Sequence, residues 1–112
     1  MNTYSELKEK SNYIADHYGK ESQLNQCIEE MAELTQAIIK LKRVEGIGQP
    51  TQKNKEEIIK NVIEELSDVQ ITLWEIQKVL NLSDENIKEN ILFKIDRQYE
   101  RIITTRPTGG LH

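Results

Sequence analysis

Two short stretches of the chain repeat one another. Ile28-Glu29-Glu30-Met31-Ala32-Glu33-Leu34 is echoed 35 residues later by Ile63-Glu64-Glu65-Leu66-Ser67-Asp68-Val69, and every position matches by identity or by character. In each copy the second and third acids fall at i and i+3, so Glu30 with Glu33, and Glu65 with Asp68, leave one side of a helix a single turn apart. Like charges at that spacing weaken a helix unless something compensates them. At about 100° per residue, Glu30 and Glu65 lie at the margin of the apolar face and not on the far solvent side. Two such helices packed antiparallel bring the pairs together. Four carboxylates at a half-buried edge repel strongly unless a cation neutralises them. Ligands that are all oxygen suit Mg²⁺, with Mn²⁺ as its substitute. A di-iron bundle would want Glu-x-x-His on two helices, and neither motif contains a His.

A single ExxE is ordinarily a solvated face; the same pattern on two core-facing margins is hard to assign to solubility alone. A helical solenoid is a poorer reading, because two copies are fewer than stacking requires and the rest of each unit does not match. Further along, Lys94, Arg97 and Arg101 gather on one flank of the last helical stretch. A basic stripe beside an acidic metal site is what a polyphosphate needs: metal bridges phosphoryl oxygens, and Lys and Arg balance the remaining charge. None of the five glycines builds GxxxxGK or GxGxxG, so any phosphate would be held by metal and side chains.

The elements that must carry these residues are helices. With 37% hydrophobic, 30% charged and 5% aromatic residues, the composition is dominated by helix formers, and no segment alternates as a strand does. The breakers Gly19, Glu45–Pro50, Asn81–Asp84 and Pro107–Gly110 cut the chain into helices over about 4–17, 21–44, 54–80 and 84–103. Ser22 is the expected cap of the second and Ser83 of the fourth. Leu24, Cys27, Ile28, Met31, Leu34, Ile38 and Leu41 share one arc of the second helix. Ile58, Val62, Leu66, Val69, Leu73, Ile76 and Leu80 do so on the third, with Trp74 off the stripe. The expected fold is all-α: an antiparallel hairpin closed by the fourth helix, with Ile87, Ile91, Ile95, Tyr99 and Ile102 inward, in one domain over 1–103, followed by a tail at 104–112. So thin a core, with apolar residues such as Ile39, Ile71 and Trp74 to spare, points to a homo-oligomer.

A net charge of −4 gives no field that would gather a nucleic acid polymer or an anionic membrane. The mean hydropathy of −0.65 leaves no run for a membrane span or signal peptide. Cys27, the lone cysteine, has no intrachain partner, and a cytoplasmic protein is expected.

Glu29-Glu30-x-x-Glu33 followed by Glu65-x-x-Asp68 resembles the signature of the MazG-like, all-α nucleoside triphosphate pyrophosphohydrolases. The resemblance runs over about 19–101 and takes in Gln23 and the closing Lys94-Ile95-Asp96-Arg97-Gln98. The spacer from Leu34 to Glu64 is on the long side for the family. The resemblance implies a four-helix bundle completed by oligomerisation as a homodimer or homotetramer, and Mg²⁺-dependent cleavage of a nucleoside triphosphate, deoxy or non-standard, between its α- and β-phosphates. It implies Glu30, Glu33, Glu65 and Asp68 as metal ligands, Glu29 or Glu64 as the group that orients or deprotonates the attacking water, and Lys94, Arg97 and Arg101 as phosphate-binding residues. Gln23 and Trp74 are candidates for the base pocket, because they carry edge-reading and stacking groups; Tyr13 and His17 are weaker ones. Two other classes fit the same sequence: a non-catalytic helical oligomerisation module, whose acids are a solvated face, and a nucleotide-binding regulator without turnover.

Overall fold

The computed structural model describes residues 3–46 and 52–105, and the expected loop and tail fall mainly outside them, at 47–51 and 106–112. It is all-α, with no strand among the described residues. The helices are α1 (Tyr4–Tyr18), α2 (Lys20–Gly46), α3 (Gln52–Val79) and α4 (Asp84–Thr104). None is long and apolar enough to cross a membrane, among the residues described.

The boundaries follow from local chemistry. Thr3 accepts from the Glu6 N–H while the Glu6 carboxylate accepts from the Thr3 N–H, a capping box that satisfies two orphan donors of α1. Gly19, at φ 90°, stands where a side chain would be strained. Its N–H donates to the Ala15 carbonyl at 2.8 Å, and its own carbonyl accepts from Gln23 N–H at 3.1 Å, so one residue ends α1 and opens α2. The expected cap at Ser22 is therefore corrected: Ser22 lies inside the first turn of α2, and the glycine makes the break. Asn81, at φ 54°, turns the chain out of α3. Ser83 caps α4 as expected, accepting from the Asn86 N–H at 3.2 Å.

The chain forms two compact units, Met1–Asn81 and Leu82–His112. In the first, α2 and α3 make the main packing, and α1 lies mostly on α3. The seam row of α2 is Gln23, Cys27, Glu30, Leu34, Ala37, Leu41 and Val44; that of α3 is Ile58, Val62, Glu65, Val69, Thr72, Ile76 and Val79, with Glu75 beside it. Steps of three and four place each row on one side of its helix, as in knobs-into-holes packing. Cys27 and Ala37 are buried there, Cys27 as a small apolar residue.

This seam is rotated from the expected one. Ile28, Met31 and Ile38 on α2, and Leu66 and Leu73 on α3, were read as core but are between 43% and 63% exposed. An apolar-only reading of the wheel averages over the whole hydrophobic arc. The actual contact runs along its edge, where small and polar residues let the helices approach. One flank of the hairpin is left with an open apolar row and the other carries the acids.

The second unit holds α4, which has no buried residue. Of the face expected to point inward, Ile91, Ile95, Tyr99 and Ile102 are at least half exposed. Periodicity identifies an apolar face but not what covers it.

Ala37, 2% exposed, fixes how closely α2 and α3 approach. Ala37→Leu should lower unfolding free energy by about 1–3 kcal/mol, read from the urea midpoint, with an unchanged midpoint indicating a seam that is loose there.

Candidate metal centre

Antiparallel packing sets Glu30 against Asp68 and Glu33 against Glu65, each pair within hydrogen-bonding reach. Carboxylate oxygens of Glu30, Glu33 and Glu65 all lie within 4.8 Å of one another. Asp68 couples to Glu30 and Glu65 but falls outside that closest group of three. Glu30 and Glu65, in the seam rows, are half-buried; Glu33 and Asp68, one turn toward the flank, are exposed. Two acids thus form the floor of the cluster and two its mouth.

The floor is electrostatically unsatisfied. Gln26 Nε2 donates to Glu30 Oε1 at 2.7 Å, but Glu30 Oε2 and Glu65 Oε2 are buried without a partner. A buried carboxylate oxygen left unpaired is costly. Burial raises the Glu30 carboxyl above its ordinary range; the charges of Glu33 and Asp68 push the same way, against the bond from Gln26. Glu65 is raised for the same reasons, burial first and then the charge of Glu33 ahead of Asp68 and Glu30. Either a proton or a cation relieves this. Oxygens at about 2.1 Å from Mg²⁺ lie at most about 4.2 Å apart, so the three glutamates, whose oxygens lie within 4.8 Å of one another, would hold the ion after closing by up to about 0.6 Å.

The other expected residues are distributed as follows. Glu29 and Glu64 are exposed on the outer flanks of their helices, next in sequence to the floor acids. Lys94, Arg97 and Arg101 lie on α4, exposed, and the Arg97 guanidinium rests over the Phe93 ring at 5.5 Å from its centroid. Trp74 is not brought to the acids. Nine residues from Glu65, it points to the opposite side of α3. There it meets Tyr4 edge-on at 5.2 Å in an apolar groove of about 550 Å³ between α1 and α3. Gln23 does lie on the acid side, buried, two turns before Glu30. Sequence reasoning missed two residues, Gln26 and Glu75. The i, i+4 spacing of Gln26 to Glu30 was a readable signal; Glu75 was readable only as an acid in register with the α3 seam.

Comparison of the chain with known protein families, with curated proteins and with solved structures finds no match to any of them.

For a carboxyl raised on folding, the folded state holds its proton to higher pH than the unfolded chain does. The contribution of Glu30 and Glu65 to stability is therefore lost as pH rises from about 4.5 through their folded values. Metal-free protein should melt lower at pH 8 than at pH 5.5, Glu65→Gln should flatten that slope, and millimolar Mn²⁺ should raise the melting temperature at pH 8 in the wild type. A melting temperature indifferent to pH and Mn²⁺ would contradict the unsatisfied floor.

Proposed function

We propose that the protein is a divalent-metal-dependent nucleoside triphosphate pyrophosphohydrolase, a MazG-like bundle completed by homo-oligomerisation. The observation that carries this reading is the pair of buried, partnerless oxygens of Glu30 and Glu65 at the floor of a cluster that Glu33 and Asp68 complete. A purely structural hairpin would be more stable with apolar residues at both floor positions.

In this reading Glu30, Glu33 and Glu65 hold the ion, with Asp68 as the further ligand. When bound, Mg²⁺ neutralises phosphate charge and lowers the pKa of coordinated water. Gln26 fixes the Glu30 carboxylate through Oε1 and leaves Oε2 for the ion. Glu29 or Glu64, exposed at the rim, accepts the proton of the attacking water. The new bond forms between that water oxygen and the α-phosphorus, and the bridge to the β-phosphate breaks, giving monophosphate and pyrophosphate. Lys94, Arg97 and Arg101 are assigned to the β- and γ-phosphates, where guanidinium groups suit phosphoryl oxygens. The open apolar row of Ile28, Met31, Ile63 and Leu73 and the uncovered stripe of α4 support a second copy as their cover. Nucleotide-pool sanitation in the cytoplasm is the role this activity would serve.

The test is pyrophosphate release from a panel of canonical and modified nucleoside triphosphates, with Mg²⁺ or with EDTA, and chromatography of the product. Metal-dependent formation of monophosphate is expected. Glu33→Ala and Asp68→Ala should each lower turnover by about a hundredfold or more while leaving the metal-free melting temperature equal or higher, since a repulsion is removed. Full activity in either variant, or no product across the panel from folded protein, would overturn the reading. Binding without turnover would favour a nucleotide-responsive regulator, and indifference to metal and nucleotide a non-catalytic oligomerisation module.

A further inference from the structure

Beside the acid cluster lies a smaller pocket of about 260 Å³, walled by Ile14 and Tyr18 of α1, Ser22, Gln23 and Gln26 of α2, and Glu75 of α3. Gln23 and Glu75 are each 4% exposed. Polar groups at that burial nearly always have partners. Gln23 Oε1 has none. Burial also raises the Glu75 carboxyl above its ordinary range, with no neighbouring charge contributing. That favours its neutral form, which carries one O–H donor beside one carbonyl acceptor. The pocket is thus lined by one residue whose amide oxygen is buried and unpaired and by a carboxyl whose neutral form can both give and accept.

The pocket and the metal centre share a residue, since Gln26 lines the one and holds Glu30 of the other. Gln23 precedes Glu30, and Glu75 follows Asp68, by seven residues. Two helical turns make about 10 Å, close to the length of a nucleoside from its α-phosphate to the far edge of its base. The groove that holds Trp74 does not offer this relation, because it opens on the other side of α3.

We propose that Gln23 and Glu75 together form the base-reading end of the substrate site, taking a planar base by an edge on which an N–H stands beside an acceptor. Gln23 Oε1 accepts from the N–H; Glu75, in its protonated form, donates its O–H to the adjacent ring nitrogen or carbonyl. Ile14 and Tyr18 supply an apolar wall and an aromatic ring for the faces of the base. The proposal rests on the triphosphate reading above and adds to it a specificity residue, Glu75, that the acidic motifs do not contain.

The experiment is calorimetric titration of the whole protein, in Mg²⁺, with α,β-imido analogues of the common deoxynucleoside triphosphates and with inorganic tripolyphosphate as the probe that lacks a base. The best-bound nucleotide should bind at least tenfold more tightly than tripolyphosphate. Glu75→Leu should weaken that nucleotide by about ten- to a hundredfold, the loss for a buried group left unpaired, without changing tripolyphosphate affinity. Glu75→Gln, which keeps a donor beside an acceptor, should recover most of the loss. Leu at a buried seam position removes a desolvated carboxyl, so the metal-free variant should melt no lower than wild type, and the wild-type comparison of nucleotide with tripolyphosphate needs no variant at all. Equal binding of nucleotide and tripolyphosphate by the wild type, unchanged nucleotide affinity in Glu75→Leu, or a loss shared by tripolyphosphate would each overturn the assignment while leaving the triphosphate reading intact. Failure of every probe to bind would remove that reading and this one with it.

Discussion

The structure of the hairpin turns on the mutual repulsion of carboxylates that packing forces into one place. Glu30 and Glu65 occupy seam positions whose neighbours above and below are Cys27 and Leu34 on α2 and Val62 and Val69 on α3, so each is held half-buried between apolar side chains. Each keeps one oxygen buried and without a partner. Among the described residues only three apolar ones, Ala15, Cys27 and Ala37, are almost completely buried, which leaves little packing energy to set against such a defect. The defect is tolerable only if the cluster is relieved by protons, by a cation, or by both under different conditions.

The convergence has a simple geometric origin. Because the two motifs are nearly the same and the helices run antiparallel, the hairpin has an approximate twofold relation: Glu30 faces Asp68 just as Glu65 faces Glu33. The same relation sorts everything else. Acids displaced one way from the seam meet on one flank, whereas Ile28 and Met31, and Ile63 and Leu66, displaced the other way, produce the open apolar row. Charge and apolar surface are thereby separated onto opposite flanks by one repeated heptapeptide. A cation on the acidic flank and an apolar cover on the other would relieve the two remaining liabilities of the isolated chain independently.

Much of this was legible in the residues. Helix extents followed from glycine, asparagine and serine at the breaks, and the acids from i, i+3 spacing that any helix must honour. The rotation of the seam was not legible, because a wheel that counts only apolar residues gives Ile28 and Met31 the same weight as Leu34, whereas close approach of two helices selects small residues such as Ala37 and Cys27. Trp74 drew attention as an aromatic, yet its phase relative to Glu65 already placed it on the far side of α3; chemical character was weighed before position. Glu75 was overlooked for the converse reason, since a single acid in an acid-rich chain carries no signal until the register of its helix is known. For α4 the apolar stripe was readable, but periodicity does not encode what covers it.

The same register argument separates the two polar sites in the seam. At the floor of the cluster, Glu30 and Glu65 are raised by burial and then chiefly by the charges of Glu33 and Asp68, so a multivalent cation would answer several charges at once. At Glu75 burial acts alone, and the neighbouring group is a neutral amide with a free acceptor. A cation would there gain one carboxylate and lose most of its hydration, a poor exchange for a hard ion. A proton would answer the single desolvated carboxylate, and once protonated the carboxyl beside an unpaired amide oxygen is a hydrogen-bonding surface rather than a charged one. Glu65 and Glu75, ten residues apart on one helix, therefore call for different ligands in this reading, one ionic and one neutral and planar. A molecule that carries polyphosphate at one end and a hydrogen-bonding ring at the other answers both along a single helix pair.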